Sequence, residues 1–162
     1  SKAQLQVFTE IMLAKTNTLQ LQITKNDTVA VVLPYSEEEI YNLALNGYAH
    51  LPKELEEFCY KNKSIKNSLF SYPLSYMGFG GYLNPFTHEA QVNHLKPKYT
   101  APLTTCHEMA HQTGIGSESE CNFIGFITAR NNENVYFQYS AYSFALHYAL
   151  TNLEALDRKS VV

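Results

Sequence analysis

The segment His107-Glu108-Met109-Ala110-His111 sets two histidines four residues apart, with a glutamate beside the first. On an α-helix, positions i and i+4 lie one above the other on the same face, so both imidazoles can reach one metal ion. Glu108 then points in a neighbouring direction, from which its carboxylate can touch an activated water without being a ligand. Three fixed residues in five turn up by accident in roughly one chain in a few hundred of this size. The surroundings therefore decide.

A catalytic zinc takes three protein ligands and keeps a position open for water. Gly114, three residues after His111, suits the C-terminal cap of the helix, and the turn it permits brings the next helix back toward the histidines. Glu118 opens that next helix and is the expected third ligand. Asn122, one turn on, is placed to hydrogen-bond a ligand imidazole and hold it in orientation. Glu120 competes with Glu118, but the two point in roughly opposite directions on a helix, which favours Glu118. A structural zinc site would close itself with four ligands and has no use for a base such as Glu108. Tyr139 and Tyr142 follow in a tyrosine-rich run, and either could donate to a developing oxyanion, although packing is the commoner role for any one of twelve tyrosines. His147 lies in an apolar helical segment and reads as a core histidine. His50, His88 and His94 read as surface or loop groups. Cys59, Cys106 and Cys121 cannot all pair within one molecule and form no CxxC pattern, so they read as small buried side chains.

The elements that must position these residues follow from hydrophobic spacing. Residues 3 to 14 carry Leu5, Phe8 and Met12 at helical intervals. Leu19, Leu21 and Ile23 then alternate with polar residues, and a turn at Lys25-Asn26-Asp27 leads into the β-branched run Thr28 to Leu33, which predicts a hairpin. Ser36 and Glu39 form a capping box ahead of Ile40, Leu43, Ala44, Gly47 and Tyr48, a second helix. Pro52 opens a third, Lys53 to about Tyr60, with Leu55 and Phe58 inward. Leu69 to Phe86 is uncharged and rich in Gly, Pro and Tyr, and it reads as a structured loop with short strands that could line a groove. Glu89 to Leu95 alternates as a half-exposed edge strand, a place where a peptide could add as a further strand. Pro102 precedes the HExxH helix, Glu118 to about Ala129 is helical, and residues 131 to 134 break the pattern. Val135 to Leu156 carries apolar stripes on opposite sides, as a buried helix does.

At 162 residues the chain suits one domain, with no internal repeat or linker. A net charge of -3 with no basic run gives no nucleic-acid footprint. No stretch resembles a membrane helix. The chain begins at Ser1 without Met, which suggests a piece of a longer protein.

The pattern of His107-Glu108-x-x-His111, then Glu118 and Asn122, resembles the zincin metallopeptidases of the gluzincin type, whose third ligand is the Glu of an ExxxD-like helix. The longer strings HEMAHQTGIGSESECNFIGF, GYLNPFTHEAQVN and YFQYSAYSFALHYAL resemble the DUF3810 family of Bacteroidetes proteins over roughly residues 70 to 155. Members of that family carry amino-terminal membrane helices, so the resemblance implies a membrane-tethered parent with this domain outside the cytoplasm. Cys121 stands where relatives have Ala. Asn122 replaces the Asp of better-known gluzincins and leaves its imidazole partner less basic.

The expected fold is α+β: a small, mostly helical zincin-like domain over residues 1–162, with a short sheet and an edge strand over the HExxH helix. The expected function is zinc-dependent peptide hydrolysis, with Zn²⁺ on His107, His111 and Glu118, Glu108 as general base, and a peptide or protein as substrate. A non-catalytic zinc-binding sensor or assembly domain, and hydrolysis of a non-peptide amide, are the alternatives.

Overall fold

The computed structural model describes residues 1–58 and 64–160. It is mostly helical, with one small sheet, an α+β arrangement. Helix α1 spans Lys2–Thr24, opened by a capping box between Ser1 and Gln4 and closed by Lys25 in a left-handed conformation. The expected hairpin is therefore not formed, because residues 19 to 24 complete this helix. Thr9, Met12, Thr16 and Leu19 make one buried stripe at helical spacing. Two of its four members are threonines whose hydroxyls bond back to the carbonyls of Leu5 and Met12. A hydrophobic reading passes over such a stripe, and the alternation of Leu19, Leu21 and Ile23 misled. The turn reaches Thr28, and residues 30 to 33 form no strand, with Val31 and Leu33 buried and Val32 exposed.

Helix α2 (Glu37–Ala49) starts at the expected capping box. Ser36 Oγ accepts from the Glu39 amide, and Glu39 Oε2 accepts from the Ser36 amide at 2.7 Å. Lys53–Phe58 forms a 3-10 helix, with Leu55 and Phe58 half-buried against the core. Cys59 and Tyr60, where that helix was expected to continue, lie outside the described residues.

Strand β1 (Ile65–Asn67) is followed by α3 (Ser71–Met77), β2 (Gly81–Leu83) and β3 (Ala90–Val92). The two-turn helix α3 was not expected in so Gly- and Pro-rich a stretch. Pro73 sits in its first turn, where the missing N–H has no intrahelical partner anyway. The sheet runs β1-β3-β2, β1 parallel and β2 antiparallel to β3, with Tyr82 opposite Gln91. β3 is therefore central and buried along its length, Gln91 included, rather than a half-exposed edge. The exposed edge beside the HExxH helix belongs to β2.

Helix α4 (Ala101–Gln112) carries HExxH, with Pro102 in its first turn and Leu103 N–H donating to Ser140 Oγ at 3.1 Å. It sits among α2, the sheet, α5 (Glu118–Asn131) and α6 (Val135–Ser160). Tyr48, fully buried on α2, donates its hydroxyl to the Cys106 carbonyl at 2.6 Å. Gln112 Nε2 donates to the carbonyls of Ser64 and His88, tying the end of α4 to the segments that lead into β1 and β3. In α6 one stripe of Phe137, Ala141, Ala145 and Ala149 is buried, while Tyr148, Leu150 and Leu156 are exposed. The helix is thus not buried on two sides: it packs chiefly on α1, then on α5 and α4. Among the described residues no helix is long and apolar enough to cross a membrane.

Candidate metal centre

α4 projects His107 and His111 from successive turns, their ring centroids 4.9 Å apart. Beyond α4 the backbone turns at Gly114, whose φ of 99° is the left-handed conformation that glycine adopts without penalty. Ser117 then stands at the N-cap position of α5 without a side-chain cap bond, and Glu118 is the first residue of the helix. The Glu118 carboxylate bridges the two imidazoles, Oε2 at 3.1 Å from His107 Nε2 and Oε1 at 3.4 Å from His111 Nε2. One ligand-type atom from each of the three residues lies within 4.8 Å of the others. Glu120 is exposed and belongs to no such group among the described residues.

Each imidazole is held from behind. His111 Nδ1 donates to the Ile115 carbonyl at 2.9 Å, which leaves Nε2 as the lone-pair nitrogen facing Glu118. The Cys121 thiol lies 3.2 Å from the same Nδ1, and burial pushes its pKa up to about 12, so it stays protonated. Asn122 hydrogen-bonds His107. Burial, reinforced by His111, lowers the pKa of His107 and favours the neutral ring that a metal requires. Gly125, one turn further along α5, lets that helix lie against α4: a Cβ there would come within 3.0 Å of the His107 amide nitrogen.

Glu108 is 4% exposed, and burial, with the Glu118 charge adding to it, raises its pKa to about 8. Its Oε2 is buried with no hydrogen-bond partner. β2 passes directly over this carboxyl. A Cβ on Gly81 would sit 2.6 Å from Glu108 Oε1, so only glycine lets the strand cross here. The doublet Gly80-Gly81 was the signal for this crossing.

These groups lie in a cleft of about 950 Å³ between β2 and the end of α3 on one side and α6 on the other. From α6 the lining residues are Ser140, Ser143, Phe144 and His147. His147 is exposed to the cleft and not a core histidine; its spacing of seven from Ser140 and four from Ser143 marks a polar stripe that the apolar composition of α6 concealed. Tyr139 packs edge-on against Tyr99 and Tyr142 against Phe126, and neither lines the cleft. His50 and His88 are exposed and bond main-chain carbonyls, while His94 bonds Ser71 Oγ. Cys106 and Cys121 are free and buried, as expected.

The family model described as Protein of unknown function (DUF3810) matches residues 1–162. The chain belongs to the DUF3810 family. The match extends through the first third of this DUF3810 chain, beyond the 70 to 155 segment whose strings carried the resemblance. No curated protein and no solved structure matches it.

Three properties of this DUF3810 site fit a divalent metal of the zinc type. The donors are two imidazoles and a carboxylate at mutual distances that one ion spans. The imidazoles are oriented through Nδ1 or a side-chain amide. A second carboxyl, Glu108, is buried beside the donors with an oxygen lacking a partner.

Proposed function

We propose that the domain is a zinc-dependent peptide hydrolase, with His107, His111 and Glu118 as ligands and Glu108 as general base. The observation that carries this reading is the partnerless, buried Glu108 oxygen beside the three converging donors. A carboxyl without a partner is costly to bury, and a water between it and the cation would satisfy it.

Zinc held there supplies polarisation of the water and of the scissile carbonyl. Glu108 accepts the proton of the attacking water and delivers it to the leaving amine nitrogen. The alternation of the antiparallel ladder gives β2 its part. Gly80 O and Asn84 N bond to β3 on either side of the Tyr82–Gln91 pair, so the N–H and C=O groups of Gly81 and Leu83 point away from β3 on the cleft side. An extended peptide laid there gains main-chain hydrogen bonds directly above Glu108. His147, exposed on the opposite wall, is placed to meet polar groups of the substrate. The three-donor set, joined by no fourth His, Cys, Asp or Glu among the described residues, favours catalysis over a closed structural site.

The test is a pair of variants assayed on a peptide library. Glu108→Gln retains zinc and loses hydrolysis by at least about a hundred-fold, whereas His111→Ala loses both metal and activity. Full activity of Glu108→Gln would falsify the mechanism.

A further inference from the structure

From Asn67 to His88 the chain has no Asp, Glu, Lys or Arg, and α3 lies within this stretch. Its amphipathicity is inverted. Ser71 and Leu74 face inward, while Leu69, Phe70, Tyr72, Tyr76 and Met77 project outward, Leu69 and Tyr76 each 93% exposed. A helix on a soluble domain turns its apolar side to the core. Here the outward side is the more apolar one, and seven residues of helix span only about 10 Å, so these side chains form one continuous patch. Phe79, just past the helix, is also exposed.

We propose that this face docks on an anionic lipid bilayer, with Leu69, Tyr72, Tyr76 and Met77 seated among the headgroups and upper acyl chains. The composition matches the site: aromatic rings with a polar tip prefer the level of the headgroups. The charges match as well. Lys96 Nζ donates to the Gly78 carbonyl at 2.8 Å, which fixes a cation at the C-terminal end of α3. The first acid after the stretch, Glu89, is paired with Lys66. The patch therefore has a cation at its rim and no unpaired acid within its own sequence, complementary to anionic headgroups. Met77 and Phe79 also line the cleft, so docking places the cleft mouth at the membrane surface. That the substrate is then drawn from the membrane rests on the peptidase reading; the docking itself does not.

Co-sedimentation of the whole chain with vesicles tests the proposal. Binding is expected on phosphatidylcholine vesicles containing about one-third phosphatidylglycerol, and about ten-fold weaker binding on phosphatidylcholine alone. The double variant Leu69→Ser/Tyr76→Ser, with an unchanged far-UV dichroism spectrum, is expected to bind the anionic vesicles about ten-fold more weakly. Chelation of zinc and Glu108→Gln leave binding intact, so loss of hydrolysis and loss of docking are read separately. No binding to anionic vesicles, or equal binding by the double variant, overturns the proposal. So does self-association of the chain that the double variant abolishes while vesicles bind neither protein, because a second copy would then cover the patch.

Discussion

Glu108 holds a proton where most glutamates have lost theirs. Burial raises its pKa from 4.5 to about 8, so over that interval the folded chain keeps a proton that the unfolded chain has released. The folded state binds more protons there, and stability must fall as pH rises through the window. His107 acts in the opposite sense, its lowered pKa making stability rise as pH climbs toward its ordinary value of 6.5 and level off above it. The contribution of Glu108 is therefore read above neutrality. Metal-free protein unfolded by urea should lose about 1 kcal/mol between pH 7 and pH 8, and Glu108→Gln should remove that slope. A bound cation favours the carboxylate, so zinc should flatten the slope in the unmodified chain as well.

The two most contrasting elements are α4 and α1. α4 is surrounded by helices and sheet, with Cys106, Met109 and Ala110 fully buried. α1 packs chiefly on α6 and leaves Val7, Ile11 and Leu21 half-exposed. Amides of α1 should exchange with solvent well before those of α4, whose opening requires the core to come apart; hydrogen exchange read by mass spectrometry gives the order, and equal protection would contradict it. The same contrast explains what was legible in the sequence. α4 and the start of α5 could be read because their chemistry is local: His107, His111, Gly114 and Glu118 are fixed by helical spacing and one turn. α1 was half read, because Thr9 and Thr16 occupy buried positions that hydrophobicity does not mark. The order of the sheet could not be read at all. β1 is three residues long, joins β3 in parallel, and thereby turns the alternating segment at Ala90 into a centre strand. The strand over α4 was hidden in glycines whose purpose appears only when Glu108 lies beneath them.

Over the whole molecule, the site joins α4 to α5 through side chains contributed by both, so occupancy of the site should brace the fold. Zinc at one hundred times its dissociation constant should add about 2.7 kcal/mol of stability. For a chain of this length that corresponds to a rise of roughly 5–10 °C in the midpoint of thermal unfolding. His111→Ala should show no rise, and Glu108→Gln a rise at least as large as that of the unmodified chain. Calorimetry with and without the metal checks all three.

Helix α6 also sets a mechanical relation. Ser140, Ser143, Phe144 and His147 on it form a wall of the cleft, its length packs on α1, and near its far end Asp157 pairs with Lys2 at the start of α1. The 26 residues form one unbroken element, and about 20 Å of axis separate His147 from its end at Ser160. α6 is thus a lever with the cleft at one end and the start of the chain on the other. A tilt of about 10° that widens the cleft swings the far end by roughly 3–4 Å over that length, and the first helix rides with it.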